Sequence, residues 1–414
     1  MSKNYDFDYI IIGSGPAGRT IASRLAEAHK KVAIVEAGPI GGAEINTHDL
    51  PYDIALDFAH TYQKFISFPC ISDKSHFNFP TLLSGIDQKI SKASEKLKSE
   101  LEDKDIKIIK GFGHFLDSHT LAVGNQEITA HNFVLATGSK LKASEIAGLD
   151  SVKYLTPVTA FRIRRLPKFI FVVGGGPTGV QIADFFASLG VGVIIMERGS
   201  QLLPREDEEI SSLITKHFTE KLGITIVTNA KVLQLTEDQA SKIVVFTNGT
   251  GEKMVRVDSI AIATGSEPFL DYGLENAGVD YRRSGIIVDK YFNTSAKNIF
   301  AIGDCVGGPD SSTERACLEA DTLAENLLHR GKTTAKYSNL SRYINTNPEI
   351  AVTGLNEHDA LSRDLKYKKS ITYLGSNQNN FIKTLTDHSG RLLGSTVVAP
   401  NANQALRIHK LLTK

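Results

Sequence analysis

Residues 8–36 read DYIIIGSGPAGRTIASRLAEAHKKVAIVE, and the order of residue types in this stretch decides the fold class. A short apolar, β-branched run from Asp8 to Ile12 ends directly in Gly13-Ser14-Gly15-Pro16-Ala17-Gly18. Small residues and helix formers follow through Ala28, and a second strand, Lys31 to Val35, closes on Glu36. Strand, glycine turn, helix, strand and acidic residue is the order that a dinucleotide-binding unit requires. Gly13 allows the tight turn, Gly15 lets backbone amides approach a pyrophosphate, and Gly18 lets the helix pack close to the sheet. The helix N-terminus then faces the phosphates with its partial positive charge. Glu36 is placed to accept hydrogen bonds from a ribose diol.

A lone glycine motif is weak evidence, but this chain carries it twice. Phe169 to Val173 runs into Gly174-Gly175-Gly176-Pro177-Thr178-Gly179, a helix follows through Leu189, and Val191 to Met196 ends in Glu197. The interval from first glycine to acidic residue is the same in both units, so two dinucleotides are implied. Phe133 to Ala136 before Thr137-Gly138, and Ile260 to Ala263 before Thr264-Gly265, read as the late strand of each unit. The stretch 294–304, TSAKNIFAIGD, reads as a strand ending in Gly-Asp. It puts the Asp304 carboxylate at the carboxyl edge of a sheet, where ligands bind in open α/β folds.

The whole-chain totals are consistent with this. At 414 residues the chain suits two or three domains. A hydrophobic content of 41% and a charged content of 22% are ordinary for a globular protein, and a net charge of +1 gives no reason to expect nucleic acid or an anionic membrane as partner. The N-terminus is not a basic leader, and no apolar run approaches the roughly 20 residues of a membrane helix. A cytoplasmic location without a membrane span is therefore expected. Cys70, Cys305 and Cys317 make no disulfide framework, and no His/Cys cluster suggests a metal. Thr81 to Asp103 reads as an amphipathic helix and Lys107 to Val123 as paired strands, while Pro157 and Pro167 mark a crossing between domains. From Lys336 the character changes. Strands at 371–374, 381–386 and 391–398, a hairpin turn at 387–390 and a helix at 403–412 are expected.

Taken together, these stretches resemble the FAD-dependent pyridine nucleotide disulfide oxidoreductases, the group of lipoamide dehydrogenase, glutathione reductase and mercuric reductase. The resemblance implies an α/β fold with two Rossmann-like, glutathione-reductase-type dinucleotide-binding domains and a shortened C-terminal α+β interface domain. Residues 1–150 and 285–335 would form the FAD domain, 151–284 the NAD(P) domain and 336–414 the interface domain, which 347–360 (NPEIAVTGLNEHDA) resembles at its opening. FAD would lie on Gly13, Gly15, Gly18, Glu36, Gly42, Gly113, Thr137, Gly138 and Asp304, the last on the ribityl chain. NAD(P) would lie on Gly174, Gly176, Gly179, Gln181, Glu197 and Gly265. Glu197 resembles the acidic residue of NAD-preferring members, so NAD(H) is expected over NADP(H), with Arg198 beside it weakening that preference. Relatives are homodimers through the last domain, and its shortening puts the homodimer in question here.

The departures are equally specific. Family members carry GGTCxNxGCxPSK, which falls on Gly41 to Asp53 with the glycines, Asn46 and Pro51 matching. The two redox cysteines become Glu44 and Asp49, and the lysine becomes Asp53. That lysine pairs in the family with a glutamate whose position is Gln181 here. The chain also stops before the family's His-Pro-Thr-x-x-Glu dyad would occur. Disulfide exchange needs a thiolate and a leaving sulfur, and neither Glu44 nor Asp49 supplies one. Glu44 and Asp49 are candidate proton donors beside the flavin. The competing readings are a loop residue for Glu44 and a cap of a Tyr52 to Phe65 helix for Asp49. His48 is a solvated loop histidine or an acid/base, and Cys305 and Cys317 are buried thiols or a redox pair. Ser139, Ser266 and His114 take a structural reading. The expected function is an FAD-dependent NAD(P)H oxidoreductase with a non-disulfide small-molecule acceptor such as a quinone or oxygen. An FAD-binding regulatory or structural protein and a lipoamide-type disulfide reductase are the alternatives.

Overall fold

The computed structural model describes residues 4–68, 78–142, 145–239, 241–308, 311–329, 331–375 and 379–406. Cys70 and the end of the expected 403–412 helix lie outside them. The chain divides into two compact units. The first comprises Met1–Leu50, Asp87–Lys142 and Ser266–Tyr337, and the second Pro51–Ile86, Ala143–Gly265 and Ser338–Lys414.

In the first unit the strands Lys107–Lys110, Val32–Glu36, Phe7–Ile12, Gln126–Leu135 and Ile299–Ala301 lie side by side and parallel. Alternate residues face opposite sides of the sheet. Ile11 and Ile34 pack beneath the Pro16–Glu27 helix through Ile21 and Leu25, together with Ala320 and Leu323 of the Thr313–His329 helix. Ile10, Ile12 and Val35 face a second cluster with Phe115, Phe133, Leu121 and Tyr272. Both faces are covered, which is why these strands are continuous apolar runs. Each fully buried isoleucine contributes about 1.5–3 kcal/mol. Gln126–Leu135 serves two partners. Its first part pairs antiparallel with Thr120–Val123, and Ala130 to Leu135 pair parallel with Phe7–Ile12. The expected pairing within 107–123 is therefore split: Gly113–Asp117 pairs with Thr120–Val123, but Lys107–Lys110 joins Val32–Glu36. Gly111, at φ 148, turns the chain between the two destinations.

The second unit repeats the parallel arrangement with Thr225–Val227, Gly192–Met196, Phe169–Val173 and Ser259–Ile262. It adds a three-stranded antiparallel sheet, Lys231–Glu237, Lys242–Thr247 and Glu252–Val257. A five-stranded antiparallel sheet follows in the order Ser341–Ile344, Glu349–Gly354, Leu392–Ala399, Phe381–Thr386, Lys368–Tyr373. Three of its strands are those expected. The first two, which flank Asn347-Pro348, were not expected. The Leu155 to Lys168 segment, expected to be a crossing, packs within this unit: Leu155 bridges Ala261, and Phe161 is buried against Tyr52 and Phe185. Among the described residues no helix is long and apolar enough to cross a membrane.

Candidate functional site

Both glycine turns are dictated by backbone crowding at two of their three glycines. A methyl group on Gly13 would lie 2.3 Å from the Ala136 carbonyl oxygen, and one on Gly18 would lie 1.9 Å from the Gly13 carbonyl oxygen. Gly174 and Gly179 repeat this, at 2.4 Å from Ala263 and 1.8 Å from Gly174. The middle glycines differ. Gly15 has φ −65 and ψ −174, Gly176 has φ −74 and ψ −177, and any residue adopts those values. A methyl on Gly15 would approach nothing closer than the Gly42 Cα at 4.0 Å, and one on Gly176 would meet nothing within 4 Å. Among the described residues nothing crowds a Cβ at either position. A phosphate resting on the amides at the helix start would, so these two turns fit dinucleotides.

The acidic residues close the turns in matching ways. Glu36 accepts from the Ser14 amide at 2.9 Å, the Ser14 hydroxyl at 2.6 Å and the Gly38 amide at 2.8 Å. Glu197 accepts from the Gly175 and Gly199 amides, both at 2.7 Å. In the first unit the Ser14 hydroxyl also accepts from the Gly41 amide at 3.0 Å, tying the turn to the Gly41–Asp53 loop. Gly42 completes that junction, since a methyl there would lie 2.7 Å from the Gly15 Cα. Gly113 is accounted for by packing, with Leu121 and Val35 filling the space of its Cβ. Thr137 donates to the Phe269 carbonyl, and Gly138 and Gly265 take left-handed φ values of 71 and 100.

Asn46 organises the loop: its side-chain amide donates to the carbonyls of Pro39, Ile40 and Gly42. Glu44 is ion-paired with Arg19 of the Pro16–Glu27 helix. Asp49 is no cap for a helix starting at Tyr52. The helix runs Asp49–Ile66, and Asp49 accepts a hydrogen bond from the Thr313 hydroxyl at 2.9 Å. Asp49 keeps an exposed edge, yet crowding withholds water and holds its carboxyl above the usual range, against the Thr313 bond and the field of His48. Desolvation also lowers His48, with Asp49 and Asp304 pulling the other way. Asp304 sits on the Gly303–Val306 turn, and Ser139 donates to it at 3.2 Å. The first unit thus gathers His48, Asp49, Asp304, Ser139 and Thr313, while Glu44 is committed to Arg19.

In the second unit Asp53 and Gln181 are bridged by one residue. The Asn345 amide donates to Gln181 at 3.1 Å, and its side chain donates to Asp53 at 2.9 Å. One turn after Gln181, fully buried Asp184 contacts His60 at 3.0 Å and accepts from the Asn347 amide and the Ser188 hydroxyl. Cys305 and Cys317 are free thiols. Cys305 faces the Leu135 and Ile302 carbonyls, with burial pushing its thiol up to about 12. Cys317 accepts a hydrogen bond from Thr20.

The sequence profile of the family described as pyridine nucleotide-disulphide oxidoreductase matches residues 7–318. The chain belongs to this family. Mercuric reductase from Bacillus cereus is 30% identical over 427 residues, covering 99% of this chain and 67% of its own length. Dihydrolipoyl dehydrogenase from Bacillus subtilis is 26% identical, covering 96% of this chain and 88% of its own. The HOCl-induced flavoprotein disulfide reductase RclA from Escherichia coli superposes with a TM-score of 0.86 at 26% identity, over 98% of this chain and 93% of that one. The family consists of oxidoreductases for which FAD is the typical cofactor, NAD(P)H the usual partner and the homodimer a common state.

Reading the sequence missed Arg19, Thr313, Asn345, Asp184 and His60, and it gave Ser139 only a structural role. Arg19 left a signal. A cation in the first turn opposes the helix dipole, so its presence there points to a specific acidic partner. The others come from distant segments and left none.

Proposed function

We propose that this protein is an FAD-dependent NAD(P)H oxidoreductase whose acceptor is not a disulfide but a quinone, oxygen or another small electrophile, with NADH preferred over NADPH. The observation that supports the two-nucleotide reading is the pair of middle glycines, Gly15 and Gly176, where a Cβ would meet no crowding among the described residues. On this reading the first unit holds FAD through Gly13, Gly15, Gly18, Glu36 and Asp304, and the second holds NAD(P) through Gly174, Gly176, Gly179 and Glu197. Bound flavin supplies hydride acceptance from nicotinamide and onward electron transfer. The Glu197 carboxylate disfavours a 2′-phosphate by like-charge repulsion.

The acceptor reading is supported by the loop, where Glu44 and Asp49 stand at the family's two cysteine positions. Their roles divide. Glu44, ion-paired with Arg19, latches the loop to the helix. Asp49, with its carboxyl held above the usual range and Thr313 orienting it, is the group suited to hold a proton at Oδ for an acceptor. The relatives named as mercuric reductase and dihydrolipoyl dehydrogenase act through other acceptors by their names, so the test addresses thiols directly. Anaerobic titration with NADH should bleach the visible flavin band, with NADPH less effective. No bleaching by either nucleotide would remove the enzyme reading. Turnover with a quinone should survive alkylation of the thiols, and loss of it would return the protein to the disulfide reductases.

A further inference from the structure

The turn that carries Asp304 is gripped by a buried carboxylate that the chemistry above does not use. Glu319, on the Thr313–His329 helix, has no exposed surface. One of its oxygens accepts from the Gly303 amide at 2.7 Å, and the other accepts from Arg315 Nε at 2.8 Å and the Tyr337 hydroxyl at 3.0 Å. Arg315, one helical turn earlier, reaches the Gly307 carbonyl with Nη2 at 2.6 Å. The Gly303–Val306 turn is therefore held at its first residue and just beyond its last. The fit is close, since a methyl on Gly308 would lie 2.7 Å from the Arg315 guanidinium.

Burying a carboxylate and a guanidinium is costly, and apolar side chains of similar volume would fill the space without that cost. Their value lies in what they bond: the amide next to Asp304, and the carbonyl that aims the guanidinium. We infer that Glu319 and Arg315 are positioning residues for Asp304. Glu319 sets the turn at the Gly303 amide and fixes Arg315, and Arg315 holds the turn at the Gly307 carbonyl, so that the Asp304 carboxylate between them is positioned for the ribityl chain of FAD. This rests on the reading of Asp304 as an FAD contact. Burial raises the Asp304 carboxyl above its usual range, and Ser139, Arg315, Ser311 and His48 oppose that rise. Among the groups acting on Asp304, Arg315 carries a permanent positive charge, while His48, whose proton affinity desolvation lowers, also faces Asp49.

The experiment is FAD release from the purified holoprotein, followed by flavin fluorescence after ultrafiltration from pH 8 to pH 5, with thermal melts of each variant. Arg315→Gln should release FAD at a higher pH than the natural protein, because Asp304 then protonates earlier as pH falls. Arg315→Lys, which keeps the charge but loses the guanidinium fork, should restore the release pH while binding FAD more weakly. Glu319→Gln should weaken FAD about tenfold or more at every pH, the scale of a charged hydrogen bond, without raising the release pH. If Glu319→Gln does not fold, the two arginine variants decide the question alone. Variants that melt lower but keep the natural FAD affinity and release pH would make the cluster structural only and overturn this inference. A natural protein that retains no FAD would overturn the reading of the first unit, and this inference with it.

Discussion

The two glycine turns share their backbone chemistry and differ at two residues, Ser14 against Gly175 and Ala17 against Thr178, of which the first changes the hydrogen bonding. Position two of the turn is Ser14 in the first and Gly175 in the second. In each case its amide is taken by the acidic residue at the end of the second strand. The Ser14 hydroxyl adds a bridge from Glu36 to the Gly41 amide and so fastens the following loop. Gly175 offers no hydroxyl, and Leu202 closes on the vacated side: a methyl on Gly175 would lie 2.7 Å from it. The helices behind the turns differ too. The first sends a half-buried Arg19 to Glu44, whereas the second buries Asp184 against His60. The backbone geometry of the glycine turn is thus repeated within the chain, while what packs beside it is set by single side chains.

The strongest test of that parallel separates the glycines by cause. Gly18→Ala and Gly179→Ala should each destabilise the protein by about 3 kcal/mol or more, because the added methyl meets backbone rather than a movable side chain. Gly15→Ala and Gly176→Ala should leave melting unchanged or gain about 0.4–1 kcal/mol, while FAD and NADH affinity respectively fall. A large loss of stability from either would make the middle glycines structural and break the comparison.

The two helix ties should differ in weight and in pH response. His60→Ala leaves Asp184 buried with only the Asn347 amide and Ser188, and about 2–4 kcal/mol should be lost. Arg19→Ala, at a partly exposed pair, should cost under about 1 kcal/mol. The hydrogen bond to Asp184 and the fields of Asp184, Asp57 and Glu349 outweigh burial, so His60 is raised above its ordinary value. Its charged contribution is then fully present below about 6.5, the unfolded value, and fades as pH rises through the higher folded value. Urea denaturation at pH 6 and pH 9 should show a larger His60→Ala penalty at the lower pH.

Exchanging position two should give a smaller effect. Gly175→Ser forces its Cβ against Leu202 and Glu197 and should cost about 1–3 kcal/mol. Ser14→Gly should loosen the Gly41 amide and raise its hydrogen exchange. The least effect belongs to Asp49. A carboxyl raised in the folded state binds its proton more tightly than in the unfolded chain. It therefore subtracts stability once pH exceeds the ordinary aspartate value. Asp49→Asn should accordingly give a slight gain in melting temperature at pH 7 and none at pH 3.

The paired βαβ units were legible because their signal is local: glycine spacing, an apolar run and a terminal acid all lie within one contiguous stretch. The Asp49–Ile66 helix was legible as a helix but not in its start, since the Asp49 carboxylate was free, as far as the sequence could show, to cap the turn that Thr313 instead recruits it from. The gathering of Asp53, Gln181 and Asn345 was illegible for the same reason, as was the grip of Glu319 on Gly303.

What the sequence determined by itself is the part fixed by sterics and periodicity: two Rossmann-like sheets, their glycine turns and the family. Those features depend on residues near one another in the chain, where spacing translates directly into geometry. What only the tertiary structure decided is which charge meets which partner. Glu44 could have been a proton source until Arg19 was found on it, and Asp304 a bare carboxylate until Ser139 and Arg315 were found around it. Electrostatic roles depend on distances between remote segments and on the water those segments exclude, and neither quantity is written in residue order.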